Sequence, residues 1–307
     1  MALLTYQDIL SAQERIKPYV HRTPLMSSQT LNALTESEIH FKCENLQKVG
    51  AFKARGGCNA VFLLSDEEAS HGVVAHSSGN HGAAVAFAAR ERGIPAVIVM
   101  PDNSLACKFA AVESYGAEIV RCKPGMKNRN AGQARIVAER NMIPISPYND
   151  VRVMAGQGTA VLELIEDVPD LDIIIVPVGG GGLLAGASIV AKQHGKRIFG
   201  IEPDLANSAF QSRQKNSHIK IDQSSTVADG LRAPLGDLNY EITRDLVDEF
   251  FCIQEDEIIP AQKWFMSRLK LVIEPSSAVP VAWLLNSPEL IKKKKVGVVI
   301  TGGNFDL

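Results

Sequence analysis

The sequence predicts an α/β protein: two open, twisted, mostly parallel sheets flanked by helices. Short apolar runs recur at residues 73–76, 96–100, 118–121, 172–178, 197–202 and 296–300. Segments of helical periodicity separate them, and a strand, helix, strand rhythm makes parallel sheets. Gly- or Ser-rich turns follow strands at 77–81, 179–182, 228–234 and 301–304. In open α/β sheets such turns meet in a crevice outside the carboxyl ends of the strands, where ligands bind.

Taken in order, TYQDILSAQERIK at 5–17 spaces Ile9, Leu10, Ala12 and Ile16 as an amphipathic helix, with Thr5 as its cap. HRTPL at 21–25 reads as extended, 39–42 as a strand, and the Lys53 loop leads into a helix through Leu64. Helices at about 81–92 and 104–115 stop at Gly93 and Gly116. Another covers 129–140, then an irregular stretch with Pro144 and Pro147 precedes a helix starting at about 155. Residues 212–237 are polar and loop-rich, a span long enough to read as a functional loop. A last αβ section ends in the 296–300 strand. Residues 70–149 form a smaller domain inserted into a large one made of 1–69 and 150–307, with the ligand between them.

With 46% hydrophobic residues and a formal net charge of −2, the chain reads as a soluble globular protein. No basic face dominates, so no nucleic-acid partner is expected, and the lysines at 292–295 read as a solvated helix end. The N-terminus lacks a signal pattern and no apolar run is long enough for a membrane helix, which predicts a cytoplasmic protein without a membrane partner. Cys43, Cys58, Cys107, Cys122 and Cys252 are widely spaced and lack a CxxC pair, which reads as reduced, mostly buried thiols. The seven histidines show no metal-ligand spacing; His81 is the one placed to line a site.

Lys53 sits among Ala51, Phe52 and Ala54, ahead of Gly56 and Gly57. An amine with so little to solvate it becomes nucleophilic near neutral pH and can condense with an aldehyde. The alternative is a surface lysine opening a helix, with the glycines serving helix packing. Gly179, Gly180, Gly181 and Gly182, between an apolar strand and a helix, leave backbone N–H groups free to wrap a phosphate. The same turn fits a relaxed dinucleotide fingerprint, Gly180-x-Gly182-x-x-Ala185 with Glu202 as the ribose-binding acid, so an NAD-dependent dehydrogenase is the rival reading. Ser77-Ser78-Gly79-Asn80-His81 opens a helix that could hold a carboxylate, or supplies ordinary N-cap residues.

CENLQKVGAFKARGGCNAV, HSSGNHGAAVAFAA, MPDNSLACKFAAVESYGAEIV, AGQGTAVLEL, VPVGGGGLLAG, ADGLRAPLG, IEPSSAV and VITGGNFDL occur in this order. Through them nearly the whole chain resembles the fold type II pyridoxal 5'-phosphate enzymes, in particular the serine racemases and serine/threonine dehydratases. The resemblance implies that Lys53 forms an imine with the cofactor, Phe52 lies beneath it and Asn80 bonds its ring hydroxyl. Gly179, Gly180, Gly181 and Gly182 bind its phosphate and Thr301 faces the pyridine nitrogen. Ser77, Ser78, Asn80 and His81 cradle the substrate carboxylate, and Arg129 matches a residue of the mobile small domain. The activity implied is that of an amino-acid ammonia-lyase acting on serine or threonine, with Lys53 as base and Ser78 as the second acid/base of a serine racemase activity. A dedicated serine racemase, a threo-3-hydroxyaspartate ammonia-lyase and a non-catalytic amino-acid-binding protein are the alternatives. Family members that bind Mg²⁺ or Ca²⁺ use a Glu, a carbonyl and an acid; here these positions hold Glu202, Ala206 and Ser208, a weakened site. Tyr148 replaces an asparagine, Ala233 a serine, and the chain leaves no room for a C-terminal regulatory domain. A homodimer is the assembly implied.

Overall fold

A computed structural model describes residues 3–77, 79–221 and 225–306. The elements, in chain order, are α1 (Tyr6–Ile16), β1 (Leu25–Met26), α2 (Gln29–Thr35), β2 (Glu38–Cys43), α3 (Lys53–Phe62), α4 (Asp66–Ser70), β3 (Val73–His76) and α5 (Asn80–Arg92). They continue with β4 (Ala96–Pro101), α6 (Ala106–Ser114), β5 (Glu118–Cys122), α7 (Met126–Arg140), β6 (Ile143–Pro144), α8 (Val151–Asp167), β7 (Ile173–Pro177) and α9 (Gly182–Gln193). The last are β8 (Arg197–Pro203), α10 (Ser208–Lys215), α11 (Asp237–Leu246), β9 (Glu249–Ile253), α12 (Glu255–Leu269), α13 (Pro275–Asn286) and β10 (Lys295–Ile300).

The strands form two sheets, as the alternation predicts. The larger has the order β1-β2-β10-β7-β8-β9, parallel except for β1 on β2, and the smaller the order β5-β4-β3-β6, parallel throughout. Strands of a parallel sheet are buried on both faces. Accordingly Ile174 and Val176 of β7 face the core under α8 and α9, while Ile173 and Ile175 face the one under α12 and α13. The small sheet divides in the same way, with Val73 and Ala75 facing α3 and α5 and Val74 facing α7.

Local signals explain most boundaries. Thr5 caps α1 in a reciprocal capping box with Asp8, and Gly93 ends α5 in the left-handed conformation. Helix α8 starts earlier than its sequence suggests, because Asp150 accepts a hydrogen bond from the Arg152 N–H and caps it there. Helix α10 extends into the polar stretch; it buries only the small residues Ser208, Ala209 and Ser212, so its periodicity is faint. Gly56 and Gly57 serve packing and do not open the ligand site. A Cβ at Gly56 would lie 2.8 Å from the Val153 carbonyl of α8, and one at Gly57 would lie 2.9 Å from the Ala84 backbone of α5.

Candidate active site

The carboxyl ends of both sheets face one cleft of ≈ 340 Å³. Phe52, Lys53, Ser77, Asn80, His81, Arg129, Thr301 and all four glycines of the 179–182 turn line it, as does the 229–234 segment. Ser78 lies outside the described residues.

Lys53 is the first residue of α3. Its loop is tied to the last glycine turn, since the Phe52 N–H donates to the Thr301 carbonyl at 2.9 Å and Ala51 pairs with Gly302. The ammonium donates to the Pro147 carbonyl at 2.7 Å and lies 5.0 Å from the centre of the Phe52 ring. Burial lowers its pKa to about 8, against the opposing pull of Glu274.

The glycine turn is held by its carbonyls. Gly180 O accepts from Gly236 N at 3.0 Å and Asn239 Nδ2 at 2.7 Å. Among the described residues the N–H groups of Gly179, Gly180 and Gly181 donate to nothing, and no side chain caps α9. Gly181 has φ +90°, and a Cβ there would lie 2.6 Å from Leu235, so only glycine fits. A row of free amides at a helix N-terminus is the donor set a phosphate needs.

Among the described residues no side chain caps helix α5 either. The Ser77 hydroxyl accepts from the Gly79 N–H at 3.0 Å. His81 Nε2 lies 3.1 Å from the Ile145 carbonyl, which places the ring proton there and leaves the buried Nδ1 without a partner among the described residues. Burial, with Lys53 nearby, pushes His81 down to about 3, and burial, with Arg129 nearby, pushes His76 down to about 4, so both are neutral at pH 7. Arg129 has a buried Nε with no partner and no carboxylate paired to it among the described residues. Thr301 is buried and its hydroxyl lies 3.0 Å from that of Ser277.

Sequence reasoning assigned no role to three further residues here. Glu274, just before α13, accepts from Asn80 Nδ2 at 2.9 and 3.0 Å, and burial raises its pKa to about 7. The buried Lys108 of α6 pairs with Asp229 across the cleft. A charged residue inside an apolar helix, as Lys108 is in ACKFAAV, was the signal available. Tyr148, noted only as a departure, packs its ring on Gly180.

Glu202, Ala206 and Ser208 lie apart from the cleft lining. The Glu202 oxygens accept from Ala209 N at 3.0 Å and Phe210 N at 2.7 Å, and the Ser208 hydroxyl accepts from Leu235 N at 2.9 Å. Glu202 thus caps α10 from within the core, with burial raising its pKa to about 8. Among the described residues no group of three His, Cys, Asp or Glu could hold a metal ion. These residues do not fit a divalent cation, which needs several charged or free oxygens.

A two-sheet α/β fold, a buried lysine of lowered pKa and free amides at a glycine turn in one cleft define an enzyme of lysine-aldehyde chemistry with an anionic cofactor. Residues 16–302 match the family described as pyridoxal-phosphate dependent enzyme, and the chain belongs to it. It is 44% identical to the β-hydroxyaspartate dehydratase of Paracoccus denitrificans, over 100% of this chain and 98% of that protein. It is 45% identical to the serine racemase of Arabidopsis thaliana, over 98% of this chain and 94% of that protein. The solved structure of maize serine racemase superposes with TM-score 0.96 at 43% identity, covering 100% of this chain and 95% of that one. The nicotinamide reading falls with this, and its ribose-binding acid, Glu202, is buried against α10. No helix of the described residues is long and apolar enough to cross a membrane.

Proposed function

We propose that this protein is an ammonia-lyase acting on β-hydroxy amino acids, with serine or threonine as substrate and with serine racemase activity. The carrying observation is the Lys53 amine, held at about 8, in the same cleft as the free amides of the glycine turn. Pyridoxal phosphate, when bound, supplies an aldehyde for amines and a ring that takes up the electrons left when a Cα–H bond breaks.

The residues divide the remaining work. Gly179, Gly180, Gly181 and Gly182 would hold the phosphate through their N–H groups, Phe52 would pack against the ring, Asn80 would donate to the ring hydroxyl and Thr301 would offer its hydroxyl to the ring nitrogen. The uncapped start of α5, with Ser77, Ser78, Asn80 and His81, holds the substrate carboxylate. The Lys53 Nζ takes the α-proton. Neutral His81 adds no positive charge to compete with that proton transfer. Departure of the β-hydroxyl as water and hydrolysis then give a 2-oxo acid and ammonia. Racemisation needs a proton donor on the opposite face, the role given to Ser78. Residues 70–149 act as a small mobile domain closing on 1–69 and 150–307, in a cytoplasmic homodimer; strands β3 to β6 fall within that small unit.

Arg129 favours a second reading, a threo-3-hydroxyaspartate ammonia-lyase. A guanidinium in the cleft with no carboxylate partner among the described residues is matched by a substrate with a second carboxylate.

The test is a spectrum of the purified protein before and after L-serine, with pyruvate and D-serine quantified. A band near about 410–420 nm that is missing in Lys53→Ala supports the reading. A wild-type protein that stays colourless with added cofactor refutes it. Higher kcat/KM for threo-3-hydroxyaspartate than for serine, lost in Arg129→Leu, selects the second reading. Ser78→Ala should abolish D-serine formation and spare pyruvate; equal loss of both sinks that assignment.

A further inference from the structure

The carboxamide of Asn80, in the cleft, is held at both ends. Its Oδ1 accepts from Asn304 Nδ2 at 3.0 Å, and Asn304 Nδ2 also donates to the Val49 carbonyl at 2.7 Å. Its Nδ2 lies 2.9 and 3.0 Å from the two oxygens of Glu274. A carboxylate presenting both oxygens to one nitrogen shares one of the two amide hydrogens. The other hydrogen has no acceptor among the described residues, and Asn80 lines the cleft.

The position of Glu274 is itself closely set. Its N–H donates to the Gly302 carbonyl at 3.0 Å, and its carbonyl accepts from Ser277 N at 2.9 Å. A Cβ at Gly302 would lie 2.7 Å from Glu274 Oε1. A side chain at 302 would displace the carboxylate from where it meets Asn80, which gives the last glycine turn a role beyond carrying Thr301.

We propose that Glu274 is a positioning residue for the cofactor: by taking one hydrogen of the Asn80 carboxamide it aims the other into the cleft. This rests on the reading that Asn80 donates to the cofactor. A glutamine at 274 would present an N–H to the Asn80 NH₂ or force the carboxamide to turn, which would cost the Asn304 bond.

The test is titration of pyridoxal phosphate into cofactor-stripped full-length protein, followed by absorbance, for wild type, Glu274→Gln, Asn80→Ala and the double variant. Each single change should weaken binding about tenfold or more, and the double should bind no worse than the weaker single. Wild-type affinity in Glu274→Gln, or single effects that multiply in the double, would overturn the proposal. Wild-type affinity in Asn80→Ala would instead remove the Asn80 reading beneath it. Should Glu274→Gln not fold, Glu274→Asp keeps the charge while withdrawing the oxygens by one carbon, and the same weakening and non-additivity are expected.

Discussion

The reactivity of Lys53 can be measured without turnover. An ordinary lysine has a pKa of 10.5 and Lys53 one of about 8. At pH 7 roughly one Lys53 in ten is then a free amine, against roughly one in three thousand for an ordinary lysine, a gain of about 300-fold. Stripped of cofactor and reacted with formaldehyde and a borohydride reductant across pH 6 to 11, Lys53 should be half-maximally modified near pH 8, when peptides are quantified by mass spectrometry. Exposed lysines should follow the ordinary range near pH 10. Glu274→Gln removes the negative charge that pulls Lys53 upward, so its half-point should move below that of wild type. The same shift acts on stability with a definite sign. Between about 8 and 10.5 the unfolded chain binds more protons at this residue than the folded one, so its contribution to stability rises with pH across that window. A half-point for Lys53 at or above pH 10 would refute the argument, because burial would then not be weakening its ammonium form.

Other perturbations test other parts. Arg55, with no exposure, donates to Glu44 at 2.8 Å and to Glu163 at 2.8 Å, and Lys42 lies 2.6 Å from Glu163. Arg55→Met strands buried carboxylates and should lower stability to urea by about 3–5 kcal/mol, and Arg55→Lys should not restore it. Gly180→Ala drives a methyl into the Tyr148 ring, so the apo-protein should lose about 1–3 kcal/mol and bind pyridoxal phosphate more weakly in an absorbance titration. Dialysis against a chelator should leave activity unchanged, because the Glu202 oxygens and the Ser208 hydroxyl already have N–H partners; loss restored by Mg²⁺ or Ca²⁺ would show a cation there after all.

What the sequence disclosed and what it concealed divide along chain distance. Lys53, the four glycines and Thr301 are each the centre of a contiguous turn at a strand end or helix start, and local composition betrays such turns. Glu274 and Lys108 act through partners far away: Asn80 is 194 residues from Glu274, and Asp229 is 121 from Lys108. No periodicity within a segment encodes a pair of that kind. The Gly56 and Gly57 pair was ambiguous for a related reason, since glycine next to a reactive lysine can mean access or close packing. Only the placement of α5 and α8 on either side of α3 decides for packing. Helix α10 stayed hidden because its buried side is made of serine and alanine.

The charges of the cleft make one further argument that no single motif contains. Among the described residues Lys53, Lys108, Arg129 and Arg232 line it against Asp229 and Glu274, while His76 and His81 are held neutral by burial. Lys108 is paired with Asp229, which leaves Glu274 as the remaining acid among the described lining residues; burial raises its pKa to about 7, so it carries only part of a negative charge at pH 7, and it is bound to the neutral Asn80. A cavity with more cations than anions, and with uncapped helix N-termini added, attracts anions at neutral pH. A phosphate and a carboxylate arriving together answer that imbalance. Keeping both histidines neutral limits it, so that no further positive charge beside Lys53 lowers its pKa still more and weakens it as the base that takes the α-proton.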